Sequence, residues 1–259
     1  MNFLEKVVEE KKIELQEKEA TLPLEMLKKE VLAQHRVTTG SFQTIFKQNT
    51  IVVIAEIKLK SPSEGMLTNQ THIDIAKEYA KSEADAISIL TEPNHFNGKL
   101  EYIEDVRDIL PQPILRKDFI ISEYHIYETA KAGADAFLLI AAILTTEELS
   151  RFISLGKELG LSALVEIHNE EDLEKALSAK AEIIGINNRD LTTLKIDLHT
   201  SARLMPLIPK NVAIVSESGI KTVDDVRFLK ELGIHGILVG SSIIKNGNYV
   251  EAIRELKHA

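Results

Sequence analysis

Apolar residues along this chain follow two alternating periods. Short unbroken runs, such as IVVIAEI from Ile51 and AFLLI from Ala136, are separated by stretches in which apolar residues recur every three or four positions, as in THIDIAKEYAKS and TTEELSRFISLGKELG. The first kind reads as strands buried on both faces, the second as amphipathic helices. The pattern predicts strands at Ile51–Glu56, Ala86–Thr91, Ile114–Lys117, Ala136–Ile140, Ser162–Glu166, Ile183–Asn187, Val212–Ser216 and Gly236–Val239. Strands that alternate with helices pair in parallel through right-handed crossovers. ADAISIL, ADAFLLI, AEIIGIN and HGILVG also echo one another at every second unit. Eight βα units of roughly 20–30 residues are the signature of a (β/α)8 TIM barrel. An open doubly wound sheet usually carries a G-x-G-x-x-G turn after its first strand, and none stands here.

Residues 1–48 have a different texture, rich in Glu and Lys, with Phe3, Leu4, Val7, Val8 and Ile13 at helical spacing. TLPLEMLKKEVLAQ predicts a second short helix after Pro23. The expectation is a helical extension lying against a barrel of residues 49–259, the whole forming one domain.

Composition narrows the function. With 31 basic and 40 acidic residues the net charge is −9, which argues against nucleic acid or an anionic membrane as partner. A small anionic substrate remains compatible, because local basic clusters can override the net sign. There is no cysteine, which removes disulfides, thiol catalysis and zinc–thiolate sites together. No apolar run approaches the length of about 20 residues that spans a bilayer. The N-terminus is charged and amphipathic, unlike a signal core, so a cytoplasmic protein is expected.

The chemistry gathers where the strands end. Alternate strand residues share a face, so Glu56, Lys58 and Lys60 point the same way as Ile54, toward the core. The other strands end in Arg116-Lys117-Asp118, Glu166, Asn187-Asn188-Arg189, Ser216-Glu217-Ser218-Gly219 and Gly240-Ser241. One charge at a strand end is ordinarily a solvated rim. Polar groups ending six apolar runs fit a shared chamber at the C-terminal mouth of a barrel, where such folds place their active sites. SESGIKT and VGSS combine glycine, hydroxyls and expected helix starts, which suits a phosphate; tight turns with N-caps are the plainer alternative. Lys58 and Lys117 with Glu56 and Glu166 supply acid and base. A lysine beside another cation in a partly apolar pocket is expected to shift toward neutrality. None of the eight histidines has ligand spacing. His168 shares a face with Glu166 and is expected to support it, while His72, His95, His125, His199 and His258 read as loop or helix-surface residues.

AEIKLKSPS, TEPNHFNG, PILRKDFI, GADAFLLIAAIL, ALVEIHN, GINNRDLTTL, VSESGI and LVGSS, in this order and spacing, resemble indole-3-glycerol phosphate synthase from about residue 1 to the end. The resemblance implies ring closure, decarboxylation and dehydration of 1-(2-carboxyphenylamino)-1-deoxyribulose 5-phosphate, with no metal or organic cofactor. It implies Lys117 as general acid and Glu166 as general base. Lys58 would pair with the substrate carboxylate and assist dehydration, and Glu56 would orient the lysines. Asn187 and Ser218 would hold sugar hydroxyls, and Arg189 would lie near the anthranilate carboxylate. Ser61, Gly219, Gly240 and Ser241 would bind phosphate, and Phe96, Phe119, Leu138, Ile140 and Leu191 would form the wall for the aromatic ring. Some family members carry a tryptophan in the extension that packs on the ligand. This chain has none, so either Phe3 fills that space or the contact is missing. A phosphoribosylanthranilate isomerase would need a Cys–Asp pair, which the lack of cysteine excludes; a non-catalytic phosphoester-binding barrel would not need Lys58, Lys117 and Glu166. The implied partner is a small phosphorylated molecule, and the expected state a monomer or weak homodimer.

Overall fold

The computed structural model describes residues 3–34, 41–191 and 193–259. Eight parallel strands close into a barrel: β1 (Val52–Ile57), β2 (Ala86–Leu90), β3 (Ile114–Lys117), β4 (Ala136–Ile140), β5 (Ser162–Ile167), β6 (Ile183–Asn187), β7 (Ala213–Glu217) and β8 (Gly236–Val239). Each strand pairs with its sequence neighbours, and β1 closes the ring against β8. The predicted strands differ only at their ends, where hydrogen bonding rather than hydrophobicity sets the limit.

Strand alternation divides the buried apolar residues into two sets. Val52, Ile54, Leu115, Leu138, Leu164, Ile183, Val215 and Leu238 cluster inside the barrel. Val53, Ala55, Ile87, Ile89, Phe137, Leu139, Val165 and Ile184 cluster with the surrounding helices. Glycine makes two of these contacts possible. A side chain at Gly156 would meet the Phe137 ring at 2.5 Å, and one at Gly185 would meet Glu217 Oε1 at 2.2 Å.

Among the described residues two long helices precede the barrel, α1 (Phe3–Thr21) and α2 (Leu24–Ala33), followed by short helical turns at Ser41–Thr44 and Ile45–Lys47. Residues 35–40 of the expected extension lie outside the described residues. Val7 is buried against the barrel interior set, with Phe3 and Leu4 packed beside it. Ile13, counted from its spacing in the same apolar stripe, is 59% exposed. The position that anchors this part of α1 is Lys11, which is buried and pairs with Asp118 at 2.9 Å and Glu14 at 2.9 Å. Asp118 also meets Arg116 at 3.0 Å and accepts from Thr91 Oγ1 at 2.7 Å. Arg116 reaches Glu128 at 3.3 Å and donates to the His125 carbonyl at 2.8 Å. Glu128 in turn pairs with Lys18 of α1 at 2.8 Å.

Asp118 is held well below the ordinary carboxylate range. Its burial favours the neutral form, but Lys11 and Arg116 outweigh that. His125, expected on a surface, is buried beneath this network. Burial first, and Arg116 second, keep its imidazole neutral, and its Nδ1 accepts from the Ile121 amide at 3.3 Å. Arg116→Met should lower unfolding free energy by about 3–5 kcal/mol, because Asp118 and Glu128 would stay buried without it. Denaturant titration checks this; a loss under about 1 kcal/mol would mean that Lys11 and Lys18 suffice.

Candidate active site

Glu56, Lys117, Glu166, Glu217 and Gly240 each stand two residues beyond an apolar interior residue of their own strand, and Asn187 stands four beyond Ile183, with Gly185 between them on the same face. The alternation that turns Ile54, Leu115, Leu164, Ile183, Val215 and Leu238 inward therefore turns these inward too, one layer nearer the mouth. They line a cavity of about 720 Å³. All the residues expected to act from the sequence, from Glu56 and Lys58 to Gly240 and Ser241, line it as well. Lys60 does not; it lies in a short hairpin, Lys60–Ser61 with Gly65–Met66, that follows β1.

Lys117 is the centre. Its Nζ lies 2.9 Å from Glu217 Oε2 and 3.2 Å from Glu166 Oε2. The expectation of a lysine shifted toward neutrality is overturned. Burial alone would lower its pKa, but Glu217, Glu166 and Glu56 together hold it well above the ordinary lysine value. The nearest charges are carboxylates, and Lys58 is itself paired with Glu56 at 2.5 Å.

The two carboxylates on Lys117 separate in character. Glu166 is pulled well below its usual range: burial opposes its charge, but Lys117 and the imidazolium of His168 overcome it. Glu217 is pushed up to about 7, by burial first and by the charges of Glu166 and Glu56, which Lys117 only partly offsets. Glu217 was the functional residue missed from the sequence. The signal was present, since Val215 and Glu217 share the inward face by the rule that found Glu56.

His168 lies between Glu166 at 3.3 Å and Asp172 at 3.4 Å, in the supporting position expected for it. Burial disfavours its charge, but the adjacent Asp172 and Glu166 carboxylates raise it to about 10. Asn187 Oδ1 accepts from the Arg189 amide at 3.0 Å. The Arg189 guanidinium reaches the Leu194 carbonyl at 3.3 Å, at the rim. Asn188 ties the ends of β6 and β7 together through Ser216 Oγ at 2.9 Å and the Glu217 carbonyl at 2.8 Å.

One side of the cavity is apolar. Phe96, Phe119, Leu138, Ile140 and Leu191 line it, and Phe3 of α1 joins them with its ring edge-on to Phe119, centroids 6.4 Å apart. Phe3 thus brings the extension into the cavity wall. Glu92, unassigned from the sequence, is buried and accepts from the amides of Asn94, His95 and Phe96, fixing the Phe96 turn.

The opposite side carries the small-residue turns. Ser218 has φ 63 and Gly219 φ 87, two successive left-handed residues. A non-glycine residue there is uncommon and marks local strain. A side chain at Gly219 would also meet Ile196 Cγ2 at 2.4 Å. Gly240 precedes the short helix Ser241–Asn246 directly, whereas the helix after β7 starts only at Val223, capped by Thr222. SESGIKT ends on Thr222, the N-cap of that helix, so both turns run into helix starts as expected, Gly240 directly and Gly219 through three further residues. A Cβ at Gly240 would lie 2.6 Å from Glu56 Oε1, so this glycine also makes room for the ion pair of Glu56 with Lys58. Among the described residues no group of three or more His, Asp or Glu is arranged to hold a metal ion, and no helix is long and apolar enough to cross a membrane.

His168 should remain an imidazolium throughout the neutral range in NMR titration of the free protein. Its raised value means that its contacts stabilise the fold fully below pH ~6.5 and are lost as pH rises through about 10. Titration near 6.5 would show that His168 does not balance Glu166.

Among solved structures, the fold is similar to 3-hexulose-6-phosphate synthase from Salmonella typhimurium, with TM-score 0.66, 14% identity and coverage of 80% of this chain and 97% of that one. It is also similar to thiamine phosphate pyrophosphorylase from Pyrococcus furiosus, with TM-score 0.60, 14% identity and coverage of 81% and 94%. At such identity these likenesses show the barrel alone. Sequence relatives reach further. The chain is 44% identical over 258 residues to an indole-3-glycerol phosphate synthase of Caldanaerobacter subterraneus subsp. tengcongensis, covering 98% of this chain and 99% of that one. It is 42% identical over 256 residues to one of Endomicrobium trichonymphae, covering 98% and 99%. With the family model for indole-3-glycerol phosphate synthase also matching residues 4–256, the chain belongs to that family.

Proposed function

We propose that Lys117, Glu166 and Lys58 carry out, in this cavity, the reaction of the indole-3-glycerol phosphate synthases. The substrate 1-(2-carboxyphenylamino)-1-deoxyribulose 5-phosphate closes to indole-3-glycerol phosphate, releasing carbon dioxide and water. The observation that carries the reading is a buried ammonium touching two buried carboxylates, Glu166, held below the ordinary range, and Glu217, pushed above it.

Ring closure needs a proton at the ribulose carbonyl oxygen as the aromatic carbon attacks its carbon. The carbonyl electron pair moves to that oxygen, and Lys117 supplies the proton. A lysine held above its ordinary value is a weak acid, but the developing alkoxide is strongly basic. Loss of the proton would leave Glu166, Glu217 and Glu56 without their central cation. That imbalance favours rapid recharging of Lys117, and Glu217, at about 7, is the adjacent group able to carry a proton near neutral pH. Carbon dioxide then leaves with its bonding pair returning to the ring. The apolar wall of Phe96, Phe119 and Leu138 suits that step, since a poorly solvated carboxylate is lost more readily. In the dehydration, Lys58 protonates the departing hydroxyl and Glu166 accepts the ring-side proton.

The phosphate is assigned to Ser61 and the turns at Gly219 and Gly240–Ser241. Every group in these roles is supplied by one chain, which supports a monomer or weak homodimer, and we infer a cytoplasmic enzyme.

Mixing the protein with the carboxyphenylamino-deoxyribulose phosphate should produce indole fluorescence without added cofactor. Lys117→Ala should slow turnover by about 10²–10⁴-fold while ligand affinity changes little. A near-normal kcat in that variant would remove Lys117 from the chemistry. Glu166→Gln should also slow the reaction strongly, and the double variant should be scarcely worse than Lys117→Ala, because groups acting as a unit lose their contribution together. Additive losses would assign the two residues to separate steps.

A further inference from the structure

The hairpin after β1 places an acid where the phosphate reading needs an anion. Glu64, at the tip of this turn, lines the cavity and pairs with Lys245 Nζ at 2.5 Å. Its amide donates to Ser61 Oγ at 3.1 Å, so the same turn holds a phosphate-site hydroxyl. The Glu64 carboxyl is held below its usual range, by Lys245 first, with contributions from a hydrogen bond to Ser241 and the charge of Lys58. Gly65, next in the chain, has φ 70 and open space around it.

To a serine hydroxyl and an ammonium, a carboxylate and a phosphate present the same feature, anionic oxygen. We propose that Glu64 is an internal anion that occupies the phosphate subsite of the free protein, and that the incoming phosphate displaces it and takes Lys245 as an additional ligand. The inference rests on the assignment of Ser61 and Ser241 to phosphate. Glu64, Ser61, Ser241 and Lys245 line the same cavity, and two like charges cannot share that corner at contact distance without strong repulsion. The substrate phosphate carries more charge than a carboxylate and wins the exchange. Lys245 is half exposed and sits in the helix that Ser241 begins, so losing Glu64 leaves it free to follow the phosphate. Glu64 therefore weakens phosphate binding and holds Lys245, at the wall of the chamber, in an ion pair until substrate arrives.

The test uses inorganic phosphate as a competitive inhibitor of the full-length enzyme, with wild type, Glu64→Gln, Lys245→Gln, the double variant and Ser241→Ala. Glu64→Gln should lower the phosphate inhibition constant and the substrate KM by roughly two- to fivefold, the range of a part-exposed ion pair. The gain should shrink at high salt and vanish when Lys245→Gln is added. Ser241→Ala should weaken phosphate inhibition. If Ser241→Ala weakens it while Glu64→Gln leaves it unchanged, the phosphate site stands and the displacement is wrong. If neither variant alters inhibition, the phosphate assignment falls and the inference falls with it.

Discussion

The site is organised around one buried positive charge. Lys117 stands at the mouth of a closed barrel, where burial alone would strip its proton, and Glu217, Glu166 and Glu56 hold that proton in place. The dependence is mutual. Three buried carboxylates so close together would repel one another, and removing the ammonium would leave them largely uncompensated. Glu217 relieves the remaining excess by titrating near neutrality, and His168 and Lys58 neutralise Glu166 and Glu56 from outside. The chamber is thus close to electrically balanced before it meets an anionic substrate.

That balance depends on the other face of the same strand. Alternation turns Lys117 into the barrel and Arg116 away from it, into the network of Asp118, Glu128, Lys11 and Lys18. Asp118 accepts from the Phe119 amide at 2.9 Å, so the residue that flanks Lys117 also fixes the start of the apolar wall. Helix α1 contributes twice: Lys11 neutralises Asp118 beneath the site, and Phe3 completes the wall above it. The extension is part of the active chamber as well as of the fold.

The barrel was legible in the sequence because a closed parallel sheet needs unbroken apolar runs, and each run appears where a strand forms. The strand-end rule that exposed Glu56, Lys117 and Glu166 applied equally to Glu217. Within SESG, however, the flanking serines and glycine read as a turn and mask the inward carboxylate. Charge relations were less readable. A sequence shows that Lys58 and Lys117 sit at the ends of β1 and β3, but only the folded barrel shows that each meets carboxylates. Lys11 and His125 were misjudged or missed for a related reason. In an amphipathic helix a charged position reads as surface, and only a partner 107 residues away, Asp118, makes burial of Lys11 tolerable.

In the free protein Lys117 is held charged by its carboxylates. Carbon-13 NMR of the lysine side chains, with Lys117 assigned by substitution, measures this directly in the free protein. The account predicts that the Lys117 Cε signal shows no deprotonation at pH values where surface lysines titrate, above about 10.4. A Lys117 titration midpoint at or below the ordinary lysine value would contradict it.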